Sequence, residues 1–257
     1  GKTKFKFFNK WVKEILSNGY LHNHIRMWFA SIWIFNLKLP WQLGADFFMQ
    51  NLLDGDPASN TLSWRWSAGI HTKGKNYIAR KSNIEKYSDI KLKPNENLLE
   101  NEEPLIENKD YKISNLKINN LPKISDISYI IIPTDEINIL KDLNLNNCNA
   151  FGGFPKVDYN DHNFSNNILD HIKNLVLSCY KDDNFYRDTL IEISFENYYE
   201  DLDKWIIKNN INTIHLPYVT QGNWKKIYKK IIKKYPNINF IKFNRDYDIN
   251  SWIYSKK

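Results

Sequence analysis

The opening of the chain has apolar side chains spaced as in a helix. Residues 5–16 carry them at intervals of three and four positions, which predicts an amphipathic helix that buries one stripe. The residues of this stripe are Phe8, Trp11, Val12, Ile15 and Leu16. The pair Asn18-Gly19 is expected to end the helix, because glycine readily adopts the left-handed conformation found just past a helix C-terminus.

Three further helices are predicted before residue 70. Residues 21–36 are apolar almost all round, as expected for a helix buried inside a helical domain. A proline separates this segment from a third predicted helix at residues 41–53. Asp56 is a good N-cap, and Pro57 suits the first helical position, where a missing N–H costs nothing. A fourth helix is therefore predicted to start there and to extend through Trp66.

The pattern changes in the second half of the chain. Residues 88–123 are polar, rich in Asn, Glu, Lys and Pro, and have no sustained apolar period, which is typical of a linker. Beyond them, short apolar and β-branched runs alternate with helical stretches, which predicts a parallel α/β sheet. The predicted strands are residues 127–133, 189–195, 213–217 and 238–243, and the predicted helices are residues 166–180, 200–209 and 224–235.

The predicted sheet carries little recognisable chemistry. No glycine-rich phosphate motif follows any predicted strand, and Gly152-Gly153 alone is a weak signal. Asp158, Asp161 and His162 do not have the spacing of metal ligands. We therefore expect surface or loop roles for these three residues and predict no metal site.

Composition and charge narrow the class of protein. The 257 residues are 42% apolar, which suits two modest folded domains. Residues 1–90 hold 13 lysines and arginines against 6 acidic residues, whereas the rest of the chain holds 23 of each. This basic first third could attract a polyanion through counterion release, although an ordinary basic surface that aids solubility is an equal alternative. The apolar runs are too short to span a membrane and no signal segment is evident, so a soluble, cytoplasmic protein is expected.

Tryptophan is concentrated at the start of the chain. Six of the nine tryptophans lie at positions 11, 28, 33, 41, 64 and 66. Such residues either fill a core or relay electrons, and their density alone favours core filling.

Three short segments in this region resemble a known family. The sequence GYLHNHIRM at residues 19–27, LDGDPASN at residues 53–60 and WRW at residues 64–66 together resemble the core signature of the photolyase and cryptochrome family. The resemblance implies a partial, all-helical FAD domain at residues 1–88, a linker at 89–123 and a Rossmann-like parallel α/β domain at 124–257. This order is similar to that of a bacterial photolyase-like subgroup. Because members of the family carry roughly half of the FAD domain before the matched segments, the resemblance also implies that the chain is a fragment.

The resemblance also implies which residues hold FAD. Arg26 and Asp54 match the family's Arg–Asp pair beside the isoalloxazine ring, Asp56 matches a carboxylate at the pyrimidine edge, and Asn23 and Tyr20 complete the set. A ring that becomes anionic on photoreduction needs fixed polar groups in an otherwise apolar pocket. Turn and cap chemistry is the alternative role for the two aspartates, and both roles are compatible.

An electron relay is implied next to this pocket. Asn60 matches the position that faces flavin N5, where an amide resembles photolyases and an aspartate would resemble plant cryptochromes. Trp64 lies one helical turn later on the same face and matches the tryptophan nearest the flavin, and Trp41 matches the next one. The third tryptophan of the relay would fall upstream of Gly1.

The remaining matches concern the substrate. Met27 and Trp66 match residues that line the pocket for a flipped-out pyrimidine dimer, and His24 stands where an arginine is often found, so its phosphate contact depends on protonation. The resemblance implies FAD-dependent, blue-light-driven repair of cyclobutane pyrimidine dimers in DNA, a carbon–carbon lyase reaction carried out by a monomer. The alternatives are a cryptochrome-like photoreceptor without repair activity and a chain that binds no flavin. An antenna chromophore is not assigned.

Overall fold

The computed structural model describes most of the chain in five ranges. These are residues 1–109, 127–145, 147–182, 190–219 and 221–252. Within them, none of the helices combines the length and apolar character that crossing a bilayer requires.

The chain divides into two compact units. The first comprises Gly1–Asp110 with Asn163–Ile168, and the second comprises Tyr111–His162 with Leu169–Lys257. Each unit has a hydrophobic core of its own. In the predicted linker, the described residues include Leu92 and Glu96, which are buried, and the Glu96 carboxylate accepts a hydrogen bond of 2.6 Å from the Lys6 N–H. The division into domains at residues 88 and 124 stays a prediction.

The described part of the first unit is helical. Its helices are α1 (Lys6–Asn18), α2 (Asn23–Ser31), α3 (Trp41–Asn51), α4 (Pro57–Ala68) and α5 (Lys81–Tyr87), and a π-helical turn (Ile32–Asn36) continues α2. The four predicted helices are confirmed, and α5 was not predicted. Helix α2 begins later than expected because His22 takes the N-cap position, where its side chain accepts a hydrogen bond from the His24 N–H.

Helix α1 shows both the strength and the limit of the apolar pattern. Phe8, Trp11, Val12 and Ile15 are buried as predicted, but Leu16 is 51% exposed. The prediction for Leu16 was wrong because each residue turns about 100° around a helix, and Ile15 already faces the core. The helix ends where predicted, at Gly19 with φ 64°, whose N–H bonds the Ile15 carbonyl.

The second unit contains a five-stranded parallel sheet. Its strands are β1 (Tyr129–Ile131), β2 (Asn149–Gly153), β3 (Leu190–Ser194), β4 (Thr213–Pro217) and β5 (Asn239–Phe243). The order across the sheet is β3-β2-β1-β4-β5 and every pairing is parallel, which is the order of a doubly wound sheet. The prediction of a parallel α/β region is thereby confirmed. Residue 189, the first of the strand predicted at residues 189–195, lies outside the described residues.

Helices follow each of these strands along the chain. They are α6 (Ile139–Asp142), α7 (Lys156–Asn160), α8 (Asn166–Asp182), α9 (Tyr198–Lys208), α10 (Asn223–Lys234) and α11 (Asp246–Trp252). The three long helices α8, α9 and α10 match the predictions, whereas the short ones were missed. These helices have four to seven residues, which is too few to establish a helical period.

Strand β2 explains the glycine pair. Gly153 has φ 97°, and a Cβ atom there would lie 1.9 Å from the Ser194 carbonyl oxygen of the neighbouring strand. Gly153 therefore allows β2 to pair closely with β3, the strand at one edge of the sheet, and a Cβ atom on Gly152 would lie 3.3 Å from the Tyr180 ring. Both glycines therefore serve close packing. Because glycine is rare in β-strands, the sequence pattern did not predict β2.

One expectation for the polar residues beyond β2 was wrong. Asp158 lies in α7 and is only 5% exposed, because Tyr199 donates a hydrogen bond of 2.6 Å to it and Lys230 forms an ion pair with it. Asp161 and His162 are exposed, as predicted. Asp158 is thus a buried, neutralised carboxylate that ties three helices of the second unit together.

Candidate functional site

A cavity of about 330 Å³ opens in the first unit among α2, α3 and α4. Its volume is at the small end of the range of about 300–1,000 Å³ found for ligand sites. Eight of the residues predicted to carry function line it, and they are Asn23, Arg26, Met27, Asp54, Asp56, Asn60, Trp64 and Trp66. Residues separated by more than 40 positions in the sequence thus converge on one space.

A backbone contact brings the two halves of the signature together. The Leu53 N–H donates a hydrogen bond of 2.9 Å to the Gly19 carbonyl. Gly19 is in the left-handed region, and a Cβ atom there would lie 2.6 Å from the Leu53 side chain. The start of α2 and the turn that carries Asp54 therefore meet closely only because residue 19 has no side chain.

Arg26 and Asp54 form an ion pair at the cavity wall. The Arg26 Nη2 lies 3.0 Å from the Asp54 Oδ2, and its Nε donates a hydrogen bond of 2.7 Å to the Leu21 carbonyl. The guanidinium also lies over the Tyr20 ring, 5.5 Å from its centroid. Three contacts fix the cation, so its position does not depend on a ligand. Tyr20 itself is 52% exposed and supports the cavity through Arg26.

Asp56 caps helix α4 at the cavity's edge. Its Oδ1 accepts a hydrogen bond of 2.6 Å from the Ser59 N–H, and Pro57 occupies the first turn. The predicted start of the helix is confirmed. The carboxylate lines the cavity as well, so the cap and a role in the cavity are geometrically compatible.

The side-chain amide nitrogen of Asn60 forms a hydrogen bond with the backbone. Its Nδ2 donates a hydrogen bond of 2.7 Å to the Ala45 carbonyl on α3. The amide oxygen is therefore the atom that remains as an acceptor toward the cavity. A donor is required at Nδ2 because a carbonyl oxygen faces it.

Trp64 forms the apolar floor of the cavity. It is only 2% exposed, and its ring packs edge-on against Phe48 at a centroid distance of 5.1 Å. Gly44 on α3 makes this position possible, since a Cβ atom there would lie 2.2 Å from the indole. Gly44 was not predicted as a residue of the site, although a glycine inside a helix, which costs about 1 kcal/mol relative to alanine, is a signal of close packing.

Trp66 and Met27 lie at the cavity's rim. Trp66 is 39% exposed, and its ring stacks on Tyr77 at 5.4 Å with an interplanar angle of 26°. Burial raises the pKa of Tyr77. Tyr77 was not predicted, because no motif of the family-like segments extends to it. The stacked pair gives the rim a partly exposed aromatic surface.

The remaining predicted residues lie outside the cavity lining. His24 is exposed and its ring stacks on Trp28 and Tyr87, both at 6.2 Å. Trp41 is half-buried, and the Arg65 guanidinium lies over it, 5.7 Å from the ring centroid. The structure therefore does not bring His24 and Trp41 into the same space as Arg26, Asn60 and Trp64.

Comparisons with known proteins concern the same region. The profile of the family described as the FAD binding domain of DNA photolyase matches residues 1–94. The chain is 39% identical over 70 residues to the deoxyribodipyrimidine photo-lyase of Neurospora crassa, and these residues cover 27% of this chain and 11% of that enzyme. It is 35% identical over 78 residues to the deoxyribodipyrimidine photo-lyase of Escherichia coli, which is 30% of this chain and 16% of that enzyme.

These relatives are much longer than the segment that they share with this chain. For a third relative, the deoxyribodipyrimidine photo-lyase of Agrobacterium fabrum, the shared 69 residues are 36% identical and cover 14% of the enzyme. The comparison with solved structures gives no significant match. The matched residues include the whole cavity described above, so residues 1–94 are similar to the FAD binding domain of DNA photolyase.

Proposed function

We propose that the first unit holds the redox-active ring of FAD in the cavity and takes part in blue-light-driven repair of cyclobutane pyrimidine dimers in DNA. The observation that carries this proposal is the convergence of an Arg–Asp ion pair, an oriented amide and a buried indole on one cavity. The similarity to photo-lyases over this segment supports it.

The lining of the cavity suits a flat ring with one polar edge. Trp64 and Phe48 supply apolar walls, whereas Arg26 and Asn60 supply a cation and a carbonyl acceptor that are already held in place. Such fixed groups stabilise charge without reorganisation of solvent. Bound FAD would supply a light-absorbing ring that, in its reduced and excited form, gives one electron to the substrate.

Each residue then has a defined role. Arg26 offsets negative charge on the reduced ring, and Asp54 keeps the guanidinium oriented. Asn60 accepts a hydrogen bond from a ring N–H, because its own amide nitrogen is engaged by Ala45. Asp56 holds the first turn of α4, and with it the position of Asn60 on the next turn.

The substrate is proposed to enter at the rim. A dimer must leave the base stack to reach the cavity, and aromatic and thioether surfaces such as those of Trp66 and Met27 compensate part of the unstacking energy. The excess of lysine and arginine in residues 1–90 favours binding to the phosphate backbone. One electron passed to the dimer splits the two bonds that join the pyrimidines, after which the electron returns.

The proposal is tested by measuring repair directly. The purified chain is supplied with FAD and a reductant, and dimer loss from an oligonucleotide is followed under blue light and in darkness. We expect light-dependent loss in the wild type and a marked reduction in Asn60→Asp and Trp66→Ala. Asn97→Asp is the matched control, because Asn97 is exposed in the same unit. Undiminished repair in both site variants would refute the assignment of the site.

A photoreceptor without repair activity is the second candidate. The position of His24 favours it, because the residue expected at the lesion side stacks on Trp28 and Tyr87 outside the cavity. The two functions differ in their affinity for damaged DNA. Equal affinity for a dimer-containing and an undamaged oligonucleotide, with FAD bound, would support the photoreceptor. Absence of flavin absorption after addition and removal of free FAD would overturn both.

A further inference from the structure

The ring contacts of Trp64 lead to Trp33. Within the described residues, Trp64 contacts the rings of Phe29, Trp33 and Phe48 at centroid distances of 6.4, 6.1 and 5.1 Å. The family resemblance implies that Trp41 is the next member of the relay, but within the described residues Trp41 makes no ring–ring contact with Trp64. Electron transfer between aromatic rings weakens steeply with distance, so direct contact favours Trp33 as the partner of Trp64.

Trp33 lies in a setting that suits an oxidised indole. It is on the π-helical turn after α2 and is half-buried. Its Nε1 donates a hydrogen bond of 2.9 Å to the Pro40 carbonyl. Phe29 and Phe47 lie nearly parallel to its ring, at 6.0 Å and 6.3 Å. A hydrogen bond from a donor that becomes positively charged strengthens, so the Pro40 carbonyl stabilises a radical cation on Trp33.

The other two tryptophans are less favourable sites for a positive charge. Trp64 is 2% exposed, and its buried Nε1 has no hydrogen-bond partner within the described residues. Charge in such surroundings is costly because solvation is lost. Trp41 lies beneath the Arg65 guanidinium, whose positive charge opposes a second one on the ring. The ion pair of Arg65 with Glu107, at 2.7 Å, reduces this repulsion without moving the guanidinium away.

We propose that Trp33 is the electron donor to oxidised Trp64, an inference that rests on the proposed binding of FAD. Trp64 gives one electron to the photoexcited, oxidised cofactor and becomes a radical cation. Trp33 then gives one electron to Trp64, which returns to its neutral state. The radical cation of Trp33 releases its Nε1 proton to water, and an external thiol restores the indole by supplying one electron and one proton. Trp33 is thus a relay residue that prevents the charge from returning to the cofactor.

The test measures the yield of long-lived tryptophan radical by transient absorption after a blue flash, using the full chain supplied with FAD and a thiol. In Trp33→Phe we expect this yield to fall by about tenfold, a ratio that corresponds to about 1.4 kcal/mol. The loss in Trp41→Phe is expected to be smaller. Phenylalanine preserves the stacking on Phe29 and Phe47, and circular dichroism checks that the helices remain. Trp28→Phe is the matched control, because Trp28 is on the same helix and contacts Trp11 and His24 instead of Trp64.

The outcomes separate this inference from the proposed function. If the chain retains no FAD, the proposed function and the relay are both overturned, whereas an unchanged radical yield in Trp64→Phe overturns the relay alone. If FAD is retained and Trp64→Phe abolishes the radical, a larger loss in Trp41→Phe than in Trp33→Phe overturns the relay through Trp33 alone. A loss in Trp33→Phe that exceeds those in Trp41→Phe and Trp28→Phe supports it.

Discussion

At the scale of single residues, the candidate site depends on a glycine that leaves room for a tryptophan ring. Gly44 has no side chain, and the Trp64 indole occupies the space where a Cβ atom would stand, 2.2 Å away. The glycine weakens α3 as an isolated helix. Its presence is explained by the position that it allows Trp64 to take beneath the cavity.

Gly44→Ala is therefore expected to destabilise the first unit, although alanine is favoured over glycine in a helix by about 1 kcal/mol. The new methyl group overlaps a rigid ring held by Phe48 and Trp33, so the indole must move. Urea unfolding monitored by tryptophan fluorescence measures the effect. Gln42→Gly and Gln42→Ala change an exposed position of the same helix. The difference between their unfolding free energies gives the contribution of helix propensity alone. A more stable Gly44→Ala would contradict the packing argument.

Asn60 is expected to tolerate a carboxyl group only when that group is protonated. In Asn60→Asp the new side chain faces the Ala45 carbonyl, which accepts a hydrogen bond from the native amide. Burial next to an acceptor raises the pKa of the introduced carboxyl above its unfolded value. A protein with such a group becomes less stable as pH rises from acid to neutral, because ionisation of the group is opposed in the folded state. The unfolding free energy of the variant relative to wild type should therefore fall over this range, whereas that of Asn97→Asp should not.

At the scale of elements, helix α4 joins local structure to the candidate site. Its N-cap, Asp56, is followed one turn later by Asn60 and two turns later by Trp64, so the start of the helix determines where both side chains point. A start displaced by one residue would rotate them about 100° away from the cavity. The cap thus determines which face of α4 lines the cavity.

Asp56→Ala is expected to cost about 1 kcal/mol of stability, as is typical for loss of an N-cap. Asp56→Asn keeps an acceptor for the Ser59 N–H and should retain most of that stability. The two variants separate the cap from a role of the charge. If FAD affinity, measured by flavin fluorescence, falls in Asp56→Asn while stability is kept, the carboxylate contributes to the cofactor site. Equal affinity in Asp56→Asn and wild type would assign it to the cap alone.

At the scale of the whole molecule, each unit has its own sources of stability, and the second unit contains a cluster of charged side chains around Arg245. In the second unit the Arg245 guanidinium pairs with Glu136 at 2.6 Å, with Asp142 and Asp248 nearby. Burial raises the pKa of Glu136 from 4.5 to about 7. Arg245 opposes this shift, and the charges of Asp248, Asp135 and Asp142 add to it.

The sign of the resulting pH dependence follows from this shift. A carboxyl whose folded pKa exceeds its unfolded value binds more protons in the folded state, so its contribution to stability is present below pH 4.5 and is lost as pH rises toward 7. Denaturant unfolding of wild type and Glu136→Gln across this window measures it. We expect the wild type to lose stability relative to the variant as pH rises. Glu103→Gln, at an exposed position, should parallel the wild type, and a Glu136→Gln profile parallel to both would contradict the assignment.

The sequence by itself determined the long, regular elements and indicated the residues of the candidate site. Helices α1, α3 and α4 and strand β4 were predictable because their apolar periods or cap residues act within one or two turns of the chain. The ordered segments at residues 19–27, 53–60 and 64–66 were sufficient to indicate the family whose profile matches residues 1–94 and to predict eight of the residues that line the cavity.

Only the tertiary structure decided which of these residues meet. Strand β2 contains glycines that locally resemble a turn, and Gly44 is required because the Trp64 ring on the next helix fills the space beside it. Trp33 contacts Trp64 although 30 residues separate them in the sequence. Such contacts join residues on different elements, and their energy arises from packing between faces that a linear pattern does not relate. Periodicity reports which face of an element is buried, whereas the partner of that face is set by the fold.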